Sequence, residues 1–127
     1  MPDVRFPVEV VRGIPVVGTP EEIDITNAAE LRTALLEASA DGPVTLVVDM
    51  TRTLFCDSAG LHALVGAHRR ALAEDGAVVL AVSTEAVRRI LALTGLDTAI
   101  PVFASLAEAL AQTADAPGTL PELSWPA

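Results

Sequence analysis

The sequence has few of the features that mark secreted, membrane-spanning or nucleic-acid-binding proteins. A single cysteine, Cys56, cannot form a disulfide within the chain, which fits a reducing cytoplasm. The longest apolar run covers residues 77–82, far short of the roughly 20 residues that a membrane span needs. Residues 1–6 include Asp3 and Arg5 and have no signal-peptide pattern. Lys and Arg total 8 against 17 Asp and Glu, and so acidic a surface repels phosphate backbones. We therefore expect a soluble domain that binds no nucleic acid.

The composition predicts one folded domain with a tail. The chain has 127 residues, of which 51% are hydrophobic and 20% are charged, enough apolar material for a core. Residues 114–127 contain Pro117, Pro121 and Pro126 and show no apolar periodicity. We expect a domain at residues 1–113 and a flexible, proline-rich tail at residues 114–127.

Apolar periodicity predicts a hairpin followed by alternating helices and strands. The predicted strands cover residues 8–11, 14–17, 44–48, 77–82 and 100–103, and residues 21–25 form a polar extension in which Ile23 and Ile25 alternate. The predicted helices begin at Asn27, near Ser58, at Ser83 or Thr84, and at Ser105, and the third is expected to end at Gly95. Such alternation indicates parallel pairing through right-handed crossovers. The expected fold is α/β, a central, mostly parallel (mixed) β-sheet with about four helices packed on it.

Two helices carry specific packing and capping predictions. Asn27 and Glu30 have the spacing of a capping box, which predicts that Asn27 caps the first helix. The second helix carries one apolar stripe that we expect to face the sheet: Leu61, Leu64, Val65, His68 and Leu72.

The segment over residues 49–64, DMTRTLFCDSAGLHAL, is the most informative part of the chain. A buried strand leads into it, and a helix begins at Ser58, where backbone amides and the positive end of the helix dipole point outward. One interpretation is that Asp57 or Ser58 is an ordinary N-cap. Another is that Ser58 is a regulated hydroxyl, since a phosphate of about −1.5 to −2 charges would meet free amides there. The two roles are compatible.

These residues resemble the STAS domain family and, within it, the bacterial anti-sigma factor antagonists. The resemblance lies in Asp57-Ser58-Ala59-Gly60-Leu61 after Val47-Val48-Asp49, and in Glu22-Ile23-Asp24 with Thr26, Ala28 and Leu31-Arg32. It covers roughly residues 7–112 and follows the strand–helix order. The chain departs from the common pattern at four places: Ala59 replaces a frequent second serine, Cys56 replaces a branched aliphatic residue, the first hairpin is short, and Thr19-Pro20-Glu21 lacks a frequent glycine.

The resemblance implies a regulatory protein and not an enzyme. Family members bind an anti-sigma factor that is also a serine kinase, and so free a sigma factor. That kinase phosphorylates the serine matched here by Ser58, and a serine phosphatase restores it. Asp24 and Asp57 match acidic positions beside this serine. The partner surface would comprise Asp24, Asp57, Ser58, Ala59, Gly60 and Leu61. We expect no cofactor, and His62 and His68, six residues apart, do not have metal-ligand spacing.

Other interpretations stay open at this point. A STAS-type subunit can serve a larger assembly, such as a stressosome or a lipid-transport complex, without being phosphorylated. Ser58 followed by Gly60 partly matches the nucleophile elbow of a serine hydrolase, although Cys56 stands where that motif has its first glycine. Cys56 itself is either a small core side chain or a reactive thiol. Trp125 is either an anchor for a partner or part of a tail without contacts.

Deletion of residues 120–127 is expected to change the melting temperature only slightly. Pro121 and Pro126 prevent regular backbone pairing in this segment, so it adds little to the fold. Calorimetric melting of the full and shortened chains measures the difference. A large loss of stability would show instead that Trp125 docks on the domain.

Overall fold

Helices and strands alternate along the chain after an initial hairpin. The computed structural model describes residues 5–40 and 44–114. The strands are β1 (Val8–Val11), β2 (Ile14–Gly18), β3 (Glu22–Ile23), β4 (Thr45–Asp49), β5 (Phe55–Cys56), β6 (Ala77–Ala81) and β7 (Val102–Phe103). The helices are α1 (Ala28–Ala38), α2 (Ser58–Ala73), α3 (Glu85–Thr94), α4 (Leu96–Ala99) and α5 (Leu106–Ala114). The predicted tail lies outside the described residues, apart from Ala114, which ends α5.

The hairpin between β1 and β2 forms as predicted at Arg12 and Gly13. Both turn residues have positive φ, 52° and 82°, as in the two-residue turns whose twist suits antiparallel strands. The register pairs Val11 with Ile14 and Val10 with Pro15. Pairing of β2 with β4 begins one residue later, at Val16. Pro15, which lacks an N–H, therefore sits ahead of that ladder, at the start of its strand.

The main sheet is mixed and mostly parallel, which confirms the predicted fold class. Its strand order is β1-β2-β4-β6-β7, and only β1 runs antiparallel to its neighbour. A second, two-stranded sheet joins β3 and β5 in parallel. In the described part of the chain, no helix is long and apolar enough to cross a membrane.

Side chains alternate between the two faces of the main sheet, and both faces are covered. On one face, Leu46, Val48 and Leu80 pack in a cluster with residues of α1, α2 and α3. On the other face, Val47 and Val79 pack with Ala109 and Leu110 of α5. The central strands are thus buried on both faces, as their nearly continuous apolar sequence predicted.

The buried face of α2 differs from the predicted stripe. Leu64 is fully buried and Leu61 packs against the core, but Leu72 is 57% exposed. The helix turns small residues toward the sheet: Gly60 and Ala63 are buried, and Ala67 and Ala71 are half-buried. The buried face of α2 is thus centred on these small residues, and Leu72 lies outside that face, in solvent. The prediction that Leu72 faces the sheet is wrong.

Three further local features differ from the sequence-based expectation. Residue Asn27 precedes α1 but makes no side-chain cap bond, and Glu30 instead pairs with Arg5 at 3.7 Å. The extension at residues 21–25 pairs only over β3, so Ile25 is 80% exposed. The short helix α4 was not predicted, and with it the described residues contain five helices. It follows directly from Gly95, whose φ of 78° ends α3 as predicted.

Replacement of Leu64 by alanine is expected to reduce the free energy of unfolding by about 2–5 kcal/mol, because it opens a cavity under α2. Leu72→Ala on the same helix is the matched control, and it is expected to change stability by less than about 0.5 kcal/mol. Urea denaturation of both variants measures the two values. Equal losses would show that the buried face of α2 is misassigned.

Candidate functional site

Two short strands bring the acidic residues of both sequence motifs together. The pair β3–β5 aligns Glu22 with Phe55 and Ile23 with Cys56. The ladder continues beyond them, because the Asp57 N–H donates to the Ile23 carbonyl oxygen at 3.0 Å. Asp24 therefore directly follows β3 and Asp57 directly follows β5, at the same end of two adjacent parallel strands. The sequence predicted both acids beside Ser58, and the register explains why two segments more than 30 residues apart meet.

Asp57, and not Ser58, is the N-cap of α2. Its backbone is extended, and its Oδ1 accepts hydrogen bonds from the N–H groups of Ala59 at 2.9 Å and Gly60 at 3.2 Å. Ser58 is then the first residue of the helix, and it is exposed. The fold therefore does not use the Ser58 hydroxyl as a cap, and the side chain is open to a partner or a modifying enzyme.

The same cap corrects one electrostatic expectation. A phosphate on Ser58 was expected to meet free amides at the helix start. The Asp57 carboxylate already accepts from two of these amides. A phosphate here would therefore gain the favourable helix dipole, but it would have to displace a carboxylate of like charge to reach those N–H groups.

Asp24 is fixed by the turn between β3 and α1. Its Oδ1 accepts hydrogen bonds from the hydroxyl and the backbone N–H of Thr26. These bonds, with a smaller contribution from the Arg5 charge, hold the pKa of the Asp24 carboxyl below its ordinary value. The Asp24 backbone is held by Asn27, whose Oδ1 accepts from the Asp24 N–H at 2.9 Å while its Nδ2 donates to the Glu22 carbonyl oxygen at 2.9 Å. Asn27 thus ties β3 to α1 where the sequence predicted a cap.

Gly60 allows the first turn of α2 to lie directly on the β3–β5 pair. A Cβ atom at this position would be 2.6 Å from Ile23 Cγ2 and 2.7 Å from Cys56 Sγ, much closer than van der Waals contact. Both of those residues are almost fully buried. The glycine of the sequence motif therefore has a packing role, and Leu61 beside it packs against the same core.

Cys56 is a core side chain. It is 1% exposed, and burial, with a smaller effect of the Asp57 charge, raises its pKa to about 12. The thiol is therefore protonated at neutral pH, and the structure favours the packing role over a reactive thiol.

Large apolar side chains flank the acidic residues, and the sequence analysis did not assign them to the site. Ile25 is 80% exposed, Leu54 56% and Phe55 48%, and we call these three residues the apolar rim. Ile25 follows Asp24 directly, and Leu54 and Phe55 enter β5 just before Asp57. The signal available in the sequence was their position: Ile25 stands between Asp24 and Thr26, and Leu54 and Phe55 come shortly before Asp57.

The remaining polar candidates lie along α2. His62 is exposed, one turn beyond Ser58. His68 is half-buried, as expected for a residue on the packed side of the helix, and its Nδ1 is buried without a hydrogen-bond partner. Within residues 5–40 and 44–114, no group of three or more His, Cys, Asp or Glu residues is placed to hold a metal ion.

Comparisons with known proteins agree on one family. A family model of the STAS domain matches residues 5–109. The chain is 32% identical over 98 residues to the anti-sigma-F factor antagonist RsfB of Mycobacterium tuberculosis, a match that covers 77% of this chain and 80% of RsfB.

Solved structures show the same similarity in three dimensions. An anti-sigma factor antagonist from Mycobacterium paratuberculosis superimposes with a TM-score of 0.80 at 34% identity, covering 87% of this chain and 93% of that one. SpoIIAA in its unphosphorylated form has a TM-score of 0.73 at 26% identity, covering 87% and 97%. The phosphorylated form of SpoIIAA from Bacillus has a TM-score of 0.65 at 26% identity, covering 84% and 97%.

Replacement of Gly60 by alanine is expected to reduce the free energy of unfolding by about 1–3 kcal/mol, because the added methyl group overpacks the contact with Ile23 and Cys56. Gly66→Ala is the matched control in the same helix. A Cβ there meets no atom within 4 Å, so that variant is expected to gain about 0.5–1 kcal/mol from helix propensity. Thermal and urea denaturation measure both. A gain of stability in both variants would contradict the close contact at Gly60.

Proposed function

The chain belongs to the STAS domain family, and we propose that it is an anti-sigma factor antagonist, which binds an anti-sigma factor and so releases a sigma factor. The match to RsfB, a protein of that function by name, carries the proposal because it spans most of both chains. The site supports it, since an exposed serine begins α2 next to two acidic residues held in place by the backbone.

We propose that phosphorylation of Ser58 switches this binding off. The anti-sigma factor, acting as a serine kinase, adds the phosphate, and a serine phosphatase removes it. Two observations support Ser58 as the target: its side chain is exposed, and its cap role is taken by Asp57. The relative SpoIIAA has been solved in both a phosphorylated and an unphosphorylated form, and the chain superimposes on both.

The switch acts through charge and leaves the fold intact. A phosphate on Ser58 would add about −1.5 to −2 charges next to the carboxylates of Asp57 and Asp24. Because Asp57 already holds the first amides of α2, the phosphate projects outward, toward a bound partner. Like charges brought together at an interface cost several kcal/mol, so the partner dissociates.

The proposed partner surface combines the acidic site with the apolar rim. Asp24, Asp57, Ser58 and Ala59 supply its polar centre, and the rim supplies exposed apolar area that is available for burial. In this proposal Gly60 and Leu61 contribute by seating the first turn of α2. We propose that the complex forms in the cytoplasm, where an anti-sigma factor meets its sigma factor.

Ser58→Asp is expected to weaken binding to the anti-sigma factor at least tenfold, about 1.4 kcal/mol, because it adds a third carboxylate to the acidic site. Ser58→Ala is expected to bind like the wild type and to resist phosphorylation. The enzymatically phosphorylated protein is expected to bind more weakly than Ser58→Asp, since a phosphate carries more charge. Titration calorimetry compares the four proteins, and intact-mass measurement after incubation with the kinase counts the phosphates.

Ala107→Asp is the matched charge control. It adds one carboxylate to the first turn of α5, which packs on the opposite face of the sheet, and it is expected to leave binding unchanged. Circular dichroism verifies that each variant is folded. Equal affinities of all the folded proteins would refute the switch and leave Ser58 as an ordinary residue at a helix start.

A further inference from the structure

Buried threonine hydroxyls lie behind the segment that presents the site. Thr53 is fully buried and Thr19 is 3% exposed. The Thr53 hydroxyl donates to the Pro20 carbonyl oxygen at 2.7 Å. The Thr19 hydroxyl also donates to the Asp49 carbonyl oxygen at 3.3 Å. It makes a short hydrogen bond with the Thr53 hydroxyl, in which either oxygen can be the donor. The Thr53 hydroxyl is therefore hydrogen-bonded to both residues that follow β2, Thr19 and Pro20.

A third threonine reaches the same residue from α3. Thr84 is the N-cap residue of α3, yet its side chain makes no cap bond. Its hydroxyl instead donates to the Thr53 carbonyl oxygen at 2.7 Å. A threonine at this position ordinarily stabilises its own helix by accepting from a first-turn amide. Here that hydroxyl ties the start of α3 to the loop before β5.

Thr53 stands immediately before the segment 54–57. Its own N–H closes a turn on the Met50 carbonyl oxygen at 3.0 Å. From the next residue on, the chain bonds to the β3 side: the N–H groups of Leu54 and Phe55 both donate to the Glu21 carbonyl oxygen, at 2.8 and 3.2 Å. Hydrogen bonds among Thr19, Thr53 and Thr84 thus hold the end of the loop just before β5, the strand that leads to Asp57.

We propose that Thr53 is a positioning residue for the switch. Its hydroxyl holds segment 54–57 in the conformation that keeps Asp57 and Ser58 beside Asp24, and so it sets the affinity for the anti-sigma factor. Thr53 is fully buried and acts without touching the partner. The predicted effect of Thr53 on binding rests on the proposed function. Its predicted effect on the order of segment 54–57 does not depend on that function.

The physical reason is the cost of leaving buried polar groups without partners. Thr53→Val keeps the side-chain shape but leaves the Pro20 carbonyl oxygen without this donor, and it leaves the Thr19 hydroxyl only its longer bond to the Asp49 carbonyl oxygen, at 3.3 Å. The free energy needed to open segment 54–57 locally is then smaller in the variant than in the wild type. A partner that needs the closed segment must supply the ordering free energy on binding, which weakens the complex.

Amide hydrogen exchange of the full chain, followed by NMR, tests the effect on the segment. In Thr53→Val, the amides of Leu54, Phe55 and Asp57 are expected to exchange at least tenfold faster than in the wild type. The amide of Leu80 in β6 reports the rest of the sheet and is expected to change less than threefold. Thr53→Ser keeps the hydroxyl and is expected to restore slow exchange.

Titration with the anti-sigma factor tests the consequence for binding. Thr53→Val is expected to bind at least fivefold more weakly, and Thr53→Ser within twofold of the wild type. Thr113→Val is the matched control, since Thr113 is a buried threonine whose hydroxyl donates to the Ala109 carbonyl oxygen within α5. It is expected to leave both the exchange of segment 54–57 and the affinity unchanged. If Thr53→Val does not fold, Thr84→Val removes one of the bonds to Thr53 from a half-buried position and takes its place.

Unchanged exchange in segment 54–57, or equal acceleration at Leu80, would overturn the positioning role. Faster local exchange with wild-type affinity would also overturn it, because the order of the segment would then not govern binding. The same holds if Thr53→Ser behaves like Thr53→Val. Failure of the wild type to bind any anti-sigma factor would instead refute the proposed function, and the exchange measurements would still decide whether Thr53 orders the segment.

Discussion

The contact between the first turn of α2 and the β3–β5 pair is the constraint on which the rest of the site depends. Gly60 lies so close to Ile23 and Cys56 that any side chain would overlap them. With the helix seated there, the Asp57 N–H completes the ladder to Ile23 and its carboxylate closes the helix end. Ser58 is then the first residue that neither continues the strand pairing nor caps the helix. Exposure of the serine is thus a consequence of packing beneath it, since the neighbouring residues satisfy the backbone.

The site is acidic before any modification. The Thr26 hydrogen bonds hold the pKa of the Asp24 carboxyl below its ordinary value. Asp57 follows the paired residues of the adjacent strand. The cation that influences Asp24, Arg5, also pairs with Glu30 of α1. An added negative charge therefore strengthens a field that already exists, and it does so beside the exposed apolar rim. Electrostatics of this kind governs which partner approaches, while buried apolar area contributes most to how tightly it stays.

Local sequence signals predicted the architecture well, and tertiary packing explains most of the errors. The order of elements, the turn at Arg12 and Gly13, and the stop at Gly95 follow from backbone chemistry that a short segment contains. Leu72 was misplaced because helical spacing alone does not say which of two faces approaches the sheet more closely. Likewise, the pairing of β3 with β5 joins two-residue segments, too short for any periodicity to show. The apolar rim was not predicted either, because the exposure of these side chains depends on the tertiary fold and not on the local sequence.

The carboxylate that closes α2 also governs how long a phosphorylation signal would last. Since Asp57 occupies the amides that could cradle a phosphate, those amides offer the modified serine no hydrogen bond unless the carboxylate is displaced. Under the proposed switch, a phosphate that these amides do not hold would stay accessible to the phosphatase, so the protein would report the current balance of kinase and phosphatase and retain no record of an earlier one.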